Sequence, residues 1–212
     1  MTATHSELRP ALRGWLHATA APIAATTGTA LVAFAPVHRF ASSIYAVAAT
    51  ALFSVSAVYN RGRWSGMAMA VLSRLDHSMI FFIIAASYTP VAMVVLPTDS
   101  ARLLLILVWT SAGIGTLFRV AWFAAPRWLY TPLYVVTGWA LVPFLGQLNA
   151  NPAGMAFIAI SGLCYTSGAV VYGLRRPDPV PHIFGFHELF HALTIGGWAL
   201  HYVGLWLVVA PM

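Results

Sequence analysis

The sequence contains no lysine: its eleven basic residues are all arginine. That absence excludes a retinal protein linked through a lysine Schiff base and any other lysine-based covalent catalysis. Acid is scarce too, limited to Glu7, Asp76, Asp99, Asp178 and Glu188. Charged residues make up only 8% of the 212-residue chain, against ~25% in soluble domains. So few charges cannot cover the surface of a soluble fold of this length. The single cysteine, Cys164, lies in an apolar run, which leaves no intrachain disulfide and no thiolate-rich metal site. A net charge of +6 could suggest nucleic acid, but there is no basic stripe with interleaved aromatics to receive a phosphate backbone.

What is present is apolar residue, 60% of the chain. Seven runs approach the ~20 residues needed to span a hydrocarbon core: 17–35, 41–59, 77–96, 102–123, 128–145, 153–174 and 189–210. The runs lack the alternation of a barrel, and open sheets cannot satisfy their backbone in lipid. An all-α integral membrane bundle of seven transmembrane helices is therefore expected, with 1–212 as a single domain. Pro22, Pro90 and Pro143 fall inside the runs and predict kinks. Arginines before the first run resemble a signal peptide, but six further spans argue against cleavage.

Arginine distribution predicts the orientation. Arg9, Arg13, Arg61, Arg63, Arg74, Arg119, Arg127, Arg175 and Arg176 fall on one side, and Arg39 and Arg102 on the other. By the positive-inside rule the N-terminus is cytoplasmic and the C-terminus outside. Trp15, Trp64, Trp122 and Trp128 fall near the cytoplasmic ends as interfacial anchors.

This topology gathers polar groups that are distant in sequence. The second run ends in Ser56-Ala-Val-Tyr-Asn60, the third begins after Asp76, and the seventh begins with His187-Glu188-Leu189-Phe190-His191. Residues four apart share a helix face, so Ser56 can point with Asn60, and His187 with His191. Ionisable groups at such depth usually face the bundle interior and mark a function. Two imidazoles at that spacing can hold a cation, most often zinc. A carboxylate opposite, Asp76, could take a proton from metal-bound water.

The competing readings are structural. Asp76 could cap the third helix. His17 and His201 read as hydrogen-bonded packing residues, and Cys164 as a small buried hydrophobe. His187-Glu188-x-x-His191 matches the HExxH peptidase pattern, but no acid follows Glu188, so Glu188 reads as a membrane-interface residue.

The chain resembles the hemolysin III family, the bacterial branch of the progestin and adipoQ receptor (adiponectin receptor-like) family. The residues that carry the resemblance are Arg13-Gly14-Trp15-Leu16-His17, Ser56-Ala57-Val58-Tyr59, Leu75-Asp76-His77-Ser78, Ser87-Tyr88-Thr89-Pro90, His187-Glu188-Leu189-Phe190-His191 and His201-Tyr202. The resemblance implies seven helices with a cytoplasmic N-terminus and a zinc ion held by three histidines near the inner face. It assigns His187 and His191 as two ligands, Asp76 as the carboxylate beside a zinc-bound water, and Ser56 as its companion. The family's Ser-x-x-x-His reads Ser56-x-x-x-Asn60 here, and a neutral amide oxygen is a poor zinc ligand. Asn60 could coordinate weakly, Asp76 could enter the coordination shell, or the site could be metal-free.

Two functions follow. One is a zinc-dependent hydrolase of acyl lipids, acting on a ceramide-like amide or an ester at the inner leaflet, with Asp76 and Ser56 catalytic. The other is a non-enzymatic protein of the bacterial plasma membrane that senses lipid state or perturbs the bilayer, as in cytolysis. In both, membrane lipids are the partners.

Overall fold

Without water in the hydrocarbon region, each backbone amide must bond within its own segment, and helices meet that demand. A computed structural model describes residues 10–35, 38–122 and 125–209. It is all-helical: α1 Trp15–Phe34, α2 Arg39–Arg61, α3 Gly66–Val95, α4 Thr98–Ala121, α5 Arg127–Gly138, α6 Pro152–Leu174 and α7 Phe186–Val209, with a 3-10 turn at Val142–Gln147. Among the described residues six segments are long and apolar enough to cross a membrane, and α1 falls short of that standard. His5, Glu7, Arg9 and the expected span ends at Phe123 and Ala210 lie outside the described residues.

Two elements depart from expectation. α3 starts eleven residues before the expected 77–96 span, because Met67–Leu72, a run of the helix-favouring residues Met, Ala and Leu with one Val, carries the helix upstream of the expected start. Asp76 is therefore three turns inside the helix, and Ser65 rather than Asp76 stands at the N-cap. The expected 128–145 helix is broken. α5 ends at Gly138, and Pro143, read as a kink, instead begins a 3-10 turn. Pro22 and Pro90 do lie within α1 and α3.

Helices pack closely where glycine removes a side chain. α6 and α7 form one such pair, α1 and α2 another. A Cβ on Gly204 would lie 2.8 Å from the Gly154 carbonyl oxygen, and one on Gly28 would lie 2.7 Å from the Ala46 Cβ. Asn151 caps α6, accepting from the Ala153 amide at 2.9 Å, with Pro152 as the first helical residue.

Loops then tie the ends together. The Ala11 amide donates to the His182 carbonyl at 3.0 Å, and the Leu12 amide to the Ile183 carbonyl at 3.2 Å. The segment before α1 is thereby strapped to the loop before α7.

A Gly204→Leu substitution must push α6 from α7, and overpacking of this kind costs about 1–3 kcal/mol. A clearly lowered melting temperature in detergent is expected, measured by thermal unfolding, while the milder Ala46→Gly leaves the fold intact.

Candidate functional site at the histidine end of the bundle

The strap brings α1 onto the end of α2. Gly14, at φ 74°, permits this approach: a Cβ there would meet the Arg61 Cγ at 2.8 Å and the Asn60 Cβ at 2.9 Å. Arg13 consequently reaches inward, and its Nε donates to the Asn60 Oδ1 at 3.0 Å. One Arg13 Nη stands 3.8 Å from a Glu188 carboxylate oxygen. The Asn60 amide also donates to the Ser56 carbonyl at 2.9 Å and to the Ser56 Oγ at 3.2 Å.

The residues picked from the sequence do come together. Ser56, Asn60, His187 and His191 are all buried. Asp76, half-buried on α3, lies beside the Ser56 side chain and within the electrostatic reach of Arg13. The His187 and His191 rings stand 4.3 Å apart at 60°. His187 Nε2 and His191 Nδ1 have no hydrogen-bond partner within the protein.

Three residues were missed or misread from sequence. His17, read as a packing residue, lies parallel to His191 with ring centroids 3.7 Å apart, and both its nitrogens lack a protein partner. Arg13 and His17 both fall in the stretch Arg13-Gly14-Trp15-Leu16-His17 that carries the family resemblance, and that was the available signal for both. Glu188, read as an interface residue, is fully buried, because its Oε2 accepts from the Gly185 amide at 3.0 Å and its other oxygen faces Arg13. His77 points away from Asp76, as one helical position implies: its Nε2 meets the Tyr172 hydroxyl at 3.1 Å and its Nδ1 the Ser73 carbonyl at 2.7 Å.

The donor set supplies two of the three imidazoles that the family resemblance implies for zinc. His187 and His191 offer free nitrogens, but the third corner is an amide whose oxygen already accepts from a guanidinium. The parallel stacking of His17 on His191 directs their nitrogens side by side rather than toward a common point. Among the described residues no group of three His, Cys, Asp or Glu side chains is arranged to hold a metal.

Beside this cluster lies a cavity of about 480 Å³ between α3, α5, α6 and α7, opened where α5 stops short. Its volume is within the ~300–1,000 Å³ of small-molecule sites. Tyr172 and Phe190 form its end against the cluster. Their rings lie 6.3 and 6.1 Å from that of His187.

Asn60→His restores the missing imidazole and is expected to raise zinc content to about one ion per chain, above that of the native chain. Elemental mass spectrometry after dialysis against a weak chelator reads this; equal zinc in both proteins would contradict it.

Comparison with known proteins agrees with this architecture. The two Bacillus relatives are a hemolysin-3 homolog of Bacillus subtilis (strain 168), 29% identical over 129 residues, 60% of this chain and 58% of that protein, and hemolysin-3 of Bacillus cereus, 29% identical over 141 residues, 65% of this chain and 61% of that protein. The matched region thus spans about three-fifths of each of those proteins. The human monocyte to macrophage differentiation factor is 24% identical over 189 residues, covering 84% of this chain and 77% of its own. The family model described as haemolysin-III related matches residues 5–202, so this multi-pass membrane chain belongs to the haemolysin-III related family.

Proposed function

We propose that the chain is a lipid-binding protein of the bacterial cytoplasmic membrane that acts in membrane-lipid homeostasis without hydrolysing its ligand. Its histidine end faces the cytoplasm, as the arginine distribution favours. The observation that carries this reading is the apolar cavity set against the cluster, with Tyr172 and Phe190 between them. A lipid chain in the cavity abuts Tyr172, whose hydroxyl is bonded to His77 and lies 3.2 Å from that of Tyr130. Occupancy is felt by the polar groups at that end through those contacts. The Arg13–Asn60–Ser56 network supports a binding role, since it fills with a fixed cation the corner where an imidazole ligand would stand.

A second reading, zinc-dependent hydrolysis of an acyl amide or ester, is favoured by one observation: Ser56 and Asp76 lie together near two imidazoles with unpartnered nitrogens. In that reading His187 and His191 would hold the ion, which would supply Lewis-acid activation of a water. Asp76 is the proton acceptor and Ser56 fixes its carboxylate.

Fatty-acid release from a ceramide and from an acyl ester, measured with the zinc-supplemented full chain, separates the two. Under the binding reading, release stays at background and is equal in native protein and Asp76→Asn. Zinc-dependent release that falls ~100-fold or more in Asp76→Asn, the scale of a lost general base, would establish the hydrolase instead. Binding itself is expected to be lost in Ala159→Trp, which fills the cavity that Ala159 lines; retention-of-lipid measurements read that loss.

A further inference from the structure

The end of α2 carries charges that neither the cavity nor the histidine cluster uses. A cleft of about 440 Å³ opens to the surface between the segment before α1 and the end of α2, with Arg13, Trp15, Asn60, Arg61 and Arg63 in its lining. Among the described residues no acidic side chain lines it. Arg13 is committed inward, to Asn60 and Glu188. Arg61 and Arg63 are not. Both are exposed, and among the described residues neither has an ion pair or a side-chain hydrogen bond.

The two arginines are held in place without being neutralised. The Arg61 guanidinium lies over the Trp15 ring, 3.9 Å from its centroid. Stacking uses the face of a guanidinium and leaves its N–H edge for an acceptor. Gly14 makes room for this contact, since a Cβ there would meet the Arg61 Cγ. The turn after α2 is pinned by Trp64, whose indole donates to the Val58 carbonyl at 2.9 Å and lies across Gly62. Arg63, inside that turn, lines the same cleft. Two planar donor forks at one opening match the oxygens of a phosphate group.

The surroundings choose the source of the phosphate. Trp15 and Trp64 are 49% and 38% exposed, and such indoles sit at the headgroup level of a membrane. Val58 is 47% exposed and precedes Arg61 by three residues, so an apolar face continues from the arginine into the span. A phosphate that carries acyl chains meets both features, whereas a soluble one meets only the arginines. The arginine distribution favours a cytoplasmic position for this end, and that leaflet holds the anionic lipid. We propose that the cleft binds the headgroup of an anionic phospholipid through Arg61 and Arg63, with the acyl chains along the outer face of α2 at Val58. This site shares no residue with the cavity between α3, α5, α6 and α7. Open to the bilayer, it exchanges its lipid with the membrane and is emptied by delipidation.

The test uses the full chain in detergent with 15N-labelled indoles, and Trp15→Phe identifies the Trp15 resonance. The probes are dihexanoyl phosphatidylglycerol, dihexanoyl phosphatidylcholine and inorganic phosphate, all at one ionic strength. The phosphatidylglycerol is expected to shift the Trp15 resonance saturably. It should bind about 25-fold tighter than the phosphatidylcholine, at about fivefold for each arginine near the surface. Arg63→Gln, which breaks no bond of the fold, lowers that preference about fivefold. Arg61→Gln does the same, and Arg61→Lys, which keeps the charge without the planar fork, retains part of it. Replacing the exposed Arg175 and Arg176 together by Gln, outside the cleft, leaves the preference unchanged, as does Ala159→Trp in the cavity. An equal loss in the Arg175/Arg176 variant would overturn the site in favour of diffuse charge. Inorganic phosphate binding as tightly as the phosphatidylglycerol would overturn the lipid assignment. Equal affinity for the two lipids would overturn the proposal outright.

Discussion

The structure depends on the placement of Arg13, a cation carried into the end of an apolar bundle by the segment before α1. A charge there must be met by carboxylate, amide or carbonyl groups, since lipid offers no alternative. Asn60 and Glu188 meet it, from α2 and α7. Once they do, α1, α2 and α7 are fixed at one end, and the strap at His182 and Ile183 holds them. The buried His17–His191 stack lies at the same end of the bundle, where α1 meets α7.

The same closure explains what residue 60 does. In the resemblance, that position is a ligand. Here its side chain links two helices, accepting from Arg13 and donating to Ser56. Ser56 in turn reaches Asp76, so α3 joins the network. The fixed Arg13 cation thus occupies the corner where the resemblance would put a metal ligand. The break after α5 has a parallel effect on the other side: stopping the helix at Gly138 opens the space that the cavity occupies.

Much of this was legible in the sequence. The apolar runs marked the helices, and the four-residue spacings placed Ser56 with Asn60 and His187 with His191. What failed did so for physical reasons. Ser73, Arg74 and Asp76 interrupt the apolar run, so the upstream start of α3 at Gly66 was missed and a cap remained as the competing reading of Asp76. The end of α5 depends on packing, and a proline at position 143 cannot by itself distinguish a kink from a 3-10 turn. His17 looked like a lone histidine because its neighbour comes from the far end of the chain, and Glu188 looked interfacial because its counter-charge, Arg13, is 175 residues away.

The central claim is that cavity and polar cluster form one lipid-binding unit. Native mass spectrometry of the full chain, released gently from detergent after exhaustive delipidation, tests it most directly. The account predicts one lipid-sized mass retained per chain, absent from a protein whose cavity is filled by Ala159→Trp. A bare native chain, or equal lipid retention by the filled variant, would contradict it.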